Sequence, residues 1–117
     1  MKFNRFEEII AWRKAKELTK DVYLCFEKSR DFGFKDQIQR ASISIMNNIA
    51  EGFERKSNNE FKYFLFIAKG SCGEVRSMLI LAHEMQWLND EIYLKMYNNS
   101  IEISKMLSGL IKSLGSS

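Results

Sequence analysis

Residues 37–55 read QIQRASISIMNNIAEGFER. Ile38, Ala41, Ile45 and Ile49 recur at three- and four-residue steps, the spacing that gathers side chains on one face of an α-helix. Met46, Ala50 and Phe53 widen the stripe. Ser42, Ser44, Asn47, Asn48 and Glu51 are interspersed, several of them close to the apolar face. Gly52 reads as the stop, because glycine readily takes the left-handed conformation that closes many helices. The stretch is one amphipathic helix, predicted over about 34–51, with a loop from Gly52 to Lys56 after it.

Downstream, Ser57-Asn58-Asn59-Glu60 has the S-x-x-E form of a capping box, in which serine and glutamate side chains each satisfy a free backbone N–H. The helix it opens is predicted to reach about Trp87, with Phe61, Phe64, Leu65, Ala68, Cys72, Val75, Leu79, Ala82 and Met85 as its stripe. Gly70 and Gly73 lie inside it, and each costs about 1 kcal/mol relative to alanine in a helix interior. With Ser71 they point to a close approach of two helices, or to a kink. Leu88 to Asp90 is a tight link with Asn89 or Asp90 as N-cap. A last helix follows over about 91–114. Ile92, Met96 or Tyr97, Ile101, Ser104, Met106 or Leu107, Ile111 and Leu114 carry its face. Asn98-Asn99-Ser100 weakens its middle, and Gly115-Ser116-Ser117 reads as a frayed end.

Upstream, Met1 to Arg5 is a polar lead and Phe6 to about Lys28 is a helix. Its stripe is Ile9, Trp12, Ala15, Leu18, Val22 and Phe26, and Glu17 and Asp21 are interleaved with the lysines of its outer face. Gly33 is the expected turn residue before the next helix. Four helices of roughly 20–28 residues are each about 30–40 Å long. Short links force neighbours to run antiparallel. The predicted architecture is all-α: a single domain over residues 1–117, folded as an antiparallel up-down-up-down four-helix bundle.

Composition agrees with long helices. The 117 residues include no proline and are 45% hydrophobic, enough for one core. A formal net charge of +3 is mildly basic, below the clustered positive charge of a strong nucleic-acid binder. Charged Lys2, Arg5, Glu7 and Glu8 speak against a secretory leader. No apolar run nears the ~20 residues of a membrane span, so a cytoplasmic location is expected. Cys25 and Cys72 have no C-x-x-C partner and sit among apolar residues. Both are read as buried thiols behaving as small hydrophobes.

Several of these residues carry a family resemblance. Phe6, Ile9, Trp12 and Ala15 form an F-x-x-[LI]-x-x-W-x-x-A opening. Gln37, Ile38, Arg40 and Ala41, then Ser44, Ile45, Asn48, Ile49, Ala50, Glu51, Gly52 and Arg55, form the central signature, and Phe64, Ala68, Gly70, Ser71 and Glu74 continue it. This pattern resembles the four-helix bundle proteins encoded in intervening sequences of bacterial 23S ribosomal RNA genes. The resemblance covers nearly the whole chain. It implies a compact bundle that assembles as a ring, commonly a pentamer. It also implies relatives that serve as accessory proteins of diversity-generating retroelements, binding reverse transcriptase and RNA.

Two polar sets are candidate sites. Arg40, Asn48, Glu51, Arg55 and Glu74 are expected to form a partly buried network that fixes register or a subunit contact. Arg13, Lys14, Lys16, Lys20, Lys56 and Lys62 are the candidates for contact with RNA or DNA through phosphate. No nucleophile–base pair or phosphate loop is visible, so no catalytic residue and no cofactor are assigned. A di-metal carboxylate site needs Glu-x-x-His, and the only histidine, His83, is followed by Glu84 without that spacing. Ile10, Tyr23, Ile43, Tyr63, Phe66 and Ile80 lie off the main stripes. That is more apolar surface than one bundle needs, so self-association is expected. The function this favours is a non-enzymatic, ring-forming scaffold. The alternative is a nucleic-acid-binding accessory protein working with an enzyme such as a reverse transcriptase.

Overall fold

The structure is a computed structural model and describes residues 3–115. Among the described residues there are four α-helices: α1 (Ile10–Phe26), α2 (Phe32–Phe53), α3 (Asn58–Glu84) and α4 (Asp90–Ser113), with a short 3-10 turn at Phe6–Glu8 before them. The predicted all-α four-helix bundle is what forms. Met1, Lys2, Ser116 and Ser117 lie outside the described residues, so the polar lead and the frayed end are addressed only in part.

Local chemistry sets each start. Asp31 accepts from the Phe34 amide at 3.1 Å, and Asn89 accepts from the Ile92 amide at 2.8 Å. Ser57 accepts from the Glu60 amide at 3.1 Å, while its hydroxyl donates to the Glu60 carboxylate at 3.2 Å. Each cap satisfies a backbone N–H that the helix leaves free. The first helix begins four residues later than expected. Ile9 is extended (φ −77°, ψ 119°), and this break turns its side chain into the core, where it is 1% exposed. Phe6 packs edge-on against Trp12 at 5.1 Å.

The glycines behave differently from their sequence reading. Gly33 lies within the first turn of α2, whose N-cap is Asp31. Gly52 does not end α2; it is buried inside it. A Cβ there would stand 2.7 Å from Phe64 Cβ, 2.9 Å from Phe61 Cδ1 and 3.3 Å from the Phe61 carbonyl. Its function is close approach of α2 to α3. Gly70 has open space on its Cβ side, and Gly73 meets only Arg76, at 4.0 Å. The close approach expected at this pair is therefore not made within the chain, and α3 runs through both residues unbroken. Among the described residues, the left-handed positions are Gly115 (φ 66°) and Gln86 (φ 64°). At Gln86 the amide bonds to the His83 carbonyl and the Trp87 amide to the Ala82 carbonyl, the paired bonds that close a helix end. That turn ends α3 before Met85, which is exposed, and delivers Leu88 to the core.

The helices sit at the corners of a square. α1 packs on α2 and α4, α3 packs on α2 and α4, and the backbones of the diagonal pairs stay apart. Neighbours are antiparallel. Lys14 pairs with Glu102 and Asp21 with Lys95 across α1 and α4. Asn58 reaches the Leu114 carbonyl and Cys72 the Ser100 carbonyl across α3 and α4. One apolar column fills the axis, including Leu18, Ile38, Ile45, Leu65, Leu79 and Leu107. In α4 the inward positions are Met96, Ser100, Ile103 and Leu107, so the stripe is rotated from the expected one and Ile103 replaces Ile101.

Gly52→Ala tests the close approach. Helix propensity alone favours alanine by about 1 kcal/mol, whereas overpacking costs about 1–3 kcal/mol. The contacts are to backbone and to Cβ, which cannot move aside cheaply. Net destabilisation is expected, read as a lower urea midpoint with an unchanged slope.

Candidate functional site

Of the five residues of the expected polar network, Glu51 and Arg55 pair with each other, and the other three stand apart. Arg40 is exposed and pairs with Asp36 one turn back, at 2.9 Å. Arg55 pairs with Glu51 at 2.5 Å and lies 4.0 Å from Glu60. Its guanidinium also lies 4.7 Å from the Phe64 ring centroid. Glu74 is exposed and forms no salt bridge among the described residues. Asn48 is half-buried and donates to the Ser44 carbonyl at 2.8 Å and to its hydroxyl at 2.9 Å. The Ser44 hydroxyl then meets that of Ser71 on α3 at 2.9 Å. So the polar link between α2 and α3 is Asn48–Ser44–Ser71. Sequence reasoning missed Ser71 as a partner, because only its position after Gly70 marked it.

The basic set is also dispersed. Lys14 faces α4 through Glu102, and Lys20 lies 3.7 Å from Glu17. Arg13 donates to the Glu7 carbonyl at 2.7 Å, and Lys16 lies over the Trp12 ring at 5.0 Å. Lys56 is in the α2–α3 loop, and Lys62 donates to the Gly115 carbonyl at the same end of the bundle. His83, near the end of α3, stacks on Tyr93 at 4.0 Å and lies 2.7 Å from Asp90. No three His, Cys, Asp or Glu side chains come together as a metal set among the described residues. No helix is long and apolar enough to cross a membrane among them either.

Of the two thiols, only Cys72 is buried; Cys25 is exposed, which corrects the expectation for it. Burial pushes the Cys72 thiol up to about 11, against a smaller lowering by Arg76. It therefore stays protonated and donates to the Ser100 carbonyl at 3.1 Å. That makes it a structural hydrogen-bond donor and a poor nucleophile.

What stands out on the surface is apolar. Ile10 is 55% exposed, Tyr63 62% and Phe66 58%. Tyr23, Ile80 and Leu81 are also exposed, whereas Ile43 is half-buried. Beside Ile10 an open groove of about 400 Å³ runs between α1 and α4, lined by Ile9, Met106, Gly109 and Leu110. A second cleft of about 390 Å³ lies at the opposite end of the bundle, between Trp87 and the α1–α2 loop.

Fold and surface together define an all-α bundle whose unusual chemistry lies on its outer faces. The profile described as "23S rRNA-intervening sequence protein" matches residues 7–109, and the chain belongs to that family. Among solved structures it is similar to a protein of unknown function from the S23 ribosomal protein family of Bacteroides thetaiotaomicron. The TM-score is 0.81 at 29% identity, covering 87% of this chain and 98% of that one. No curated protein matches.

Substitutions separate the bond chain from the surface pairs. Asn48→Ala removes two half-buried hydrogen bonds and is expected to cost about 1–2 kcal/mol. Arg40→Ala removes an exposed pair and is expected to change stability by less than about 0.5 kcal/mol. Chemical denaturation of both variants measures the contrast.

Proposed function

We propose that this chain is a non-enzymatic scaffold that assembles with copies of itself in a bacterial cytoplasm, as a ring. The family resemblance makes a pentamer the expected size. One observation carries the reading: large apolar side chains stand in solvent on more than one side of the bundle, while the core is filled without them. Exposed apolar surface of this kind marks contact sites. The polar residues support the same reading, since they serve as helix caps, inter-helix hydrogen bonds and surface ion pairs.

Magnitudes set how much surface must engage. Full burial of a large apolar side chain contributes about 1.5–3 kcal/mol, so a half-exposed one contributes roughly half of that. Association costs about 4–15 kcal/mol. No single side chain suffices, and a whole helix face has to be covered. Sedimentation velocity at micromolar concentration is expected to show a species several times the chain mass. A stable monomer there removes the reading.

The second reading is an accessory protein that binds RNA or DNA beside an enzyme such as a reverse transcriptase. It is favoured by Arg13, Lys16 and Lys56, which have no carboxylate partner among the described residues. About three phosphate contacts imply a slope near −2.7 in log affinity against log salt. Gel shifts with structured RNA are then expected to weaken about 40-fold between 50 and 200 mM salt. No shift at tens of micromolar protein in low salt removes this reading.

A further inference from the structure

The end of the bundle where α1 leads into α2 and α3 into α4 carries a fixed aromatic wall. Gln86 stands in the left-handed conformation (φ 64°), which glycine takes freely and an L side chain seldom does. The chain turns there, and the Trp87 amide bonds to the Ala82 carbonyl at 2.9 Å. The Trp87 indole meets the Phe34 ring edge-on at 5.1 Å, and Phe34 lies 5.4 Å from Phe26. Phe26 and Phe34 are buried, whereas Trp87 is 41% exposed. Backbone and ring contacts therefore hold the indole in place and leave part of it open.

That indole is one wall of the cleft of about 390 Å³ at this end. The rest of the lining comes from Cys25 and Phe26 at the end of α1 and from the loop Lys28-Ser29-Arg30-Asp31. The loop is tied at both sides. The Ser29 hydroxyl accepts from the Asp31 amide at 3.2 Å, and the Lys35 ammonium of α2 donates to the Glu27 carbonyl at 2.7 Å. Lys28 and Arg30 form no salt bridge among the described residues. Asp31 opposes their charge, but it is engaged on the Phe34 amide at the start of α2, where the helix dipole favours an anion. The lining thus joins an aromatic face to two uncommitted cations and one committed carboxylate.

Other clefts lack this combination. The groove beside Ile10 is apolar apart from Glu8 and Ser113. The cleft that runs from Glu51 to Glu60 holds three carboxylates against two cations. Between α1 and α4, Lys14 and Lys95 are already paired with Glu102 and Asp21. The cleft of about 260 Å³ beside Lys56 is smaller, and its Arg55 is paired with Glu51.

A volume of about 390 Å³ lies at the lower end of the roughly 300–1,000 Å³ of small-molecule sites, which suits one planar ring system with a short charged arm. An indole face stacks on any nucleobase, and a pair of cations suits phosphate. We propose that this cleft binds a nucleoside monophosphate unit, its base against Trp87 and its phosphate between Lys28 and Arg30. The unit has two sources, a free nucleotide or one residue of a single-stranded RNA, and both present the same base and phosphate. The site uses none of Arg13, Lys16 or Lys56 and needs no second copy of the chain. Its failure therefore leaves both readings of the preceding subsection where they stand.

The indole N–H resonances of nitrogen-15-labelled protein read the site directly. Trp12, which packs on Phe6 ahead of the other end of α1, is the internal control. Titration with adenosine monophosphate in low salt is expected to move the Trp87 resonance along a saturating curve and to leave that of Trp12 in place. Adenosine without phosphate, and inorganic phosphate without base, are each expected to bind at least about 5-fold more weakly. Lys28→Gln and Arg30→Gln lie on the exposed loop; each is expected to weaken binding about 2- to 5-fold, and the double variant about 10-fold. Trp87→Leu, followed by saturation transfer to the nucleotide protons, is expected to bind about 5- to 150-fold more weakly. The loop variants decide the matter if Trp87→Leu does not fold. A triadenylate that binds no more tightly than the monophosphate assigns the free nucleotide, and one that binds more tightly assigns the RNA strand. The absence of a saturating Trp87 shift at about 10 mM monophosphate overturns the site, and so does a shift undiminished in the double variant.

Discussion

The close contact of α2 with α3 at Gly52 sets the rotation of α3, and that rotation decides what the molecule shows to solvent. Phe61 and Phe64 lie against the bare backbone of Gly52, and Ser71 meets Ser44 two turns further along. With those positions held against α2, the stripe Phe61, Leu65, Ala68, Cys72, Val75, Leu79 and Ala82 must point at the axis. Tyr63, Phe66, Gly70, Glu74 and Ile80 must then point out. A Cβ at Gly52 would push α3 away or turn it, changing the core and the outer face together. One missing methyl group thus links packing to surface display.

The buried polar groups tie α1 to α2 and α3 to α4 without charge. The Thr19 hydroxyl lies 2.8 Å from the Ala15 carbonyl and 3.1 Å from that of Ser42, tying α1 to α2. Ser42 donates to Gln39 and Ser100 to Tyr97, each within its own helix. Side chains this small let helices approach while each of these hydroxyls keeps a hydrogen bond, since a buried unpaired group is costly in a dry interior. Ion pairs are kept to the surface, where each contributes little to stability and serves mainly to mark register.

Much of this was legible in the sequence, and the failures share a cause. The α3 stripe was readable because it is long, regular and opened by a strong cap. The α4 stripe was misplaced because Ser100 and Asn99 broke the apolar count. Ser100 is fully buried, its hydroxyl bonded to the Tyr97 carbonyl, while its own carbonyl accepts from Cys72. A buried serine looks like a surface serine until its partner is known. Gly52 was misread for the same reason: a stop and a close approach both call for glycine, and only the neighbouring helix distinguishes them. Helical spacing puts Arg40, Asn48 and Glu51 on a similar side of α2 but does not say whether another helix covers that side; Glu51 meets Arg55, while Glu74 on α3 faces neither arginine. Cys25 was assigned to the core by its apolar neighbours, yet it lies on the exposed flank of α1.

A square of four helices has one axis and four corners, and that geometry limits what each helix can hide. The molecule measures 45 × 22 × 20 Å, two helices wide in each short direction. Every helix therefore presents one stripe inward, two flanks to its neighbours and one face outward. Small domains bury a smaller fraction of their surface than large ones, and an elongated bundle is worse placed than a sphere. Apolar residues beyond the inward stripe and its flanks have no interior left to enter. In α1 the outward heptad Ile10–Glu17–Leu24 alternates apolar and charged, and in α3 the outward heptad Phe66–Gly73–Ile80 places apolar ends around a glycine. A random surface scatters such residues singly. Here two exposed apolar side chains recur two heptads apart on each of α1 and α3, and surface of that kind is what a second helix face can cover.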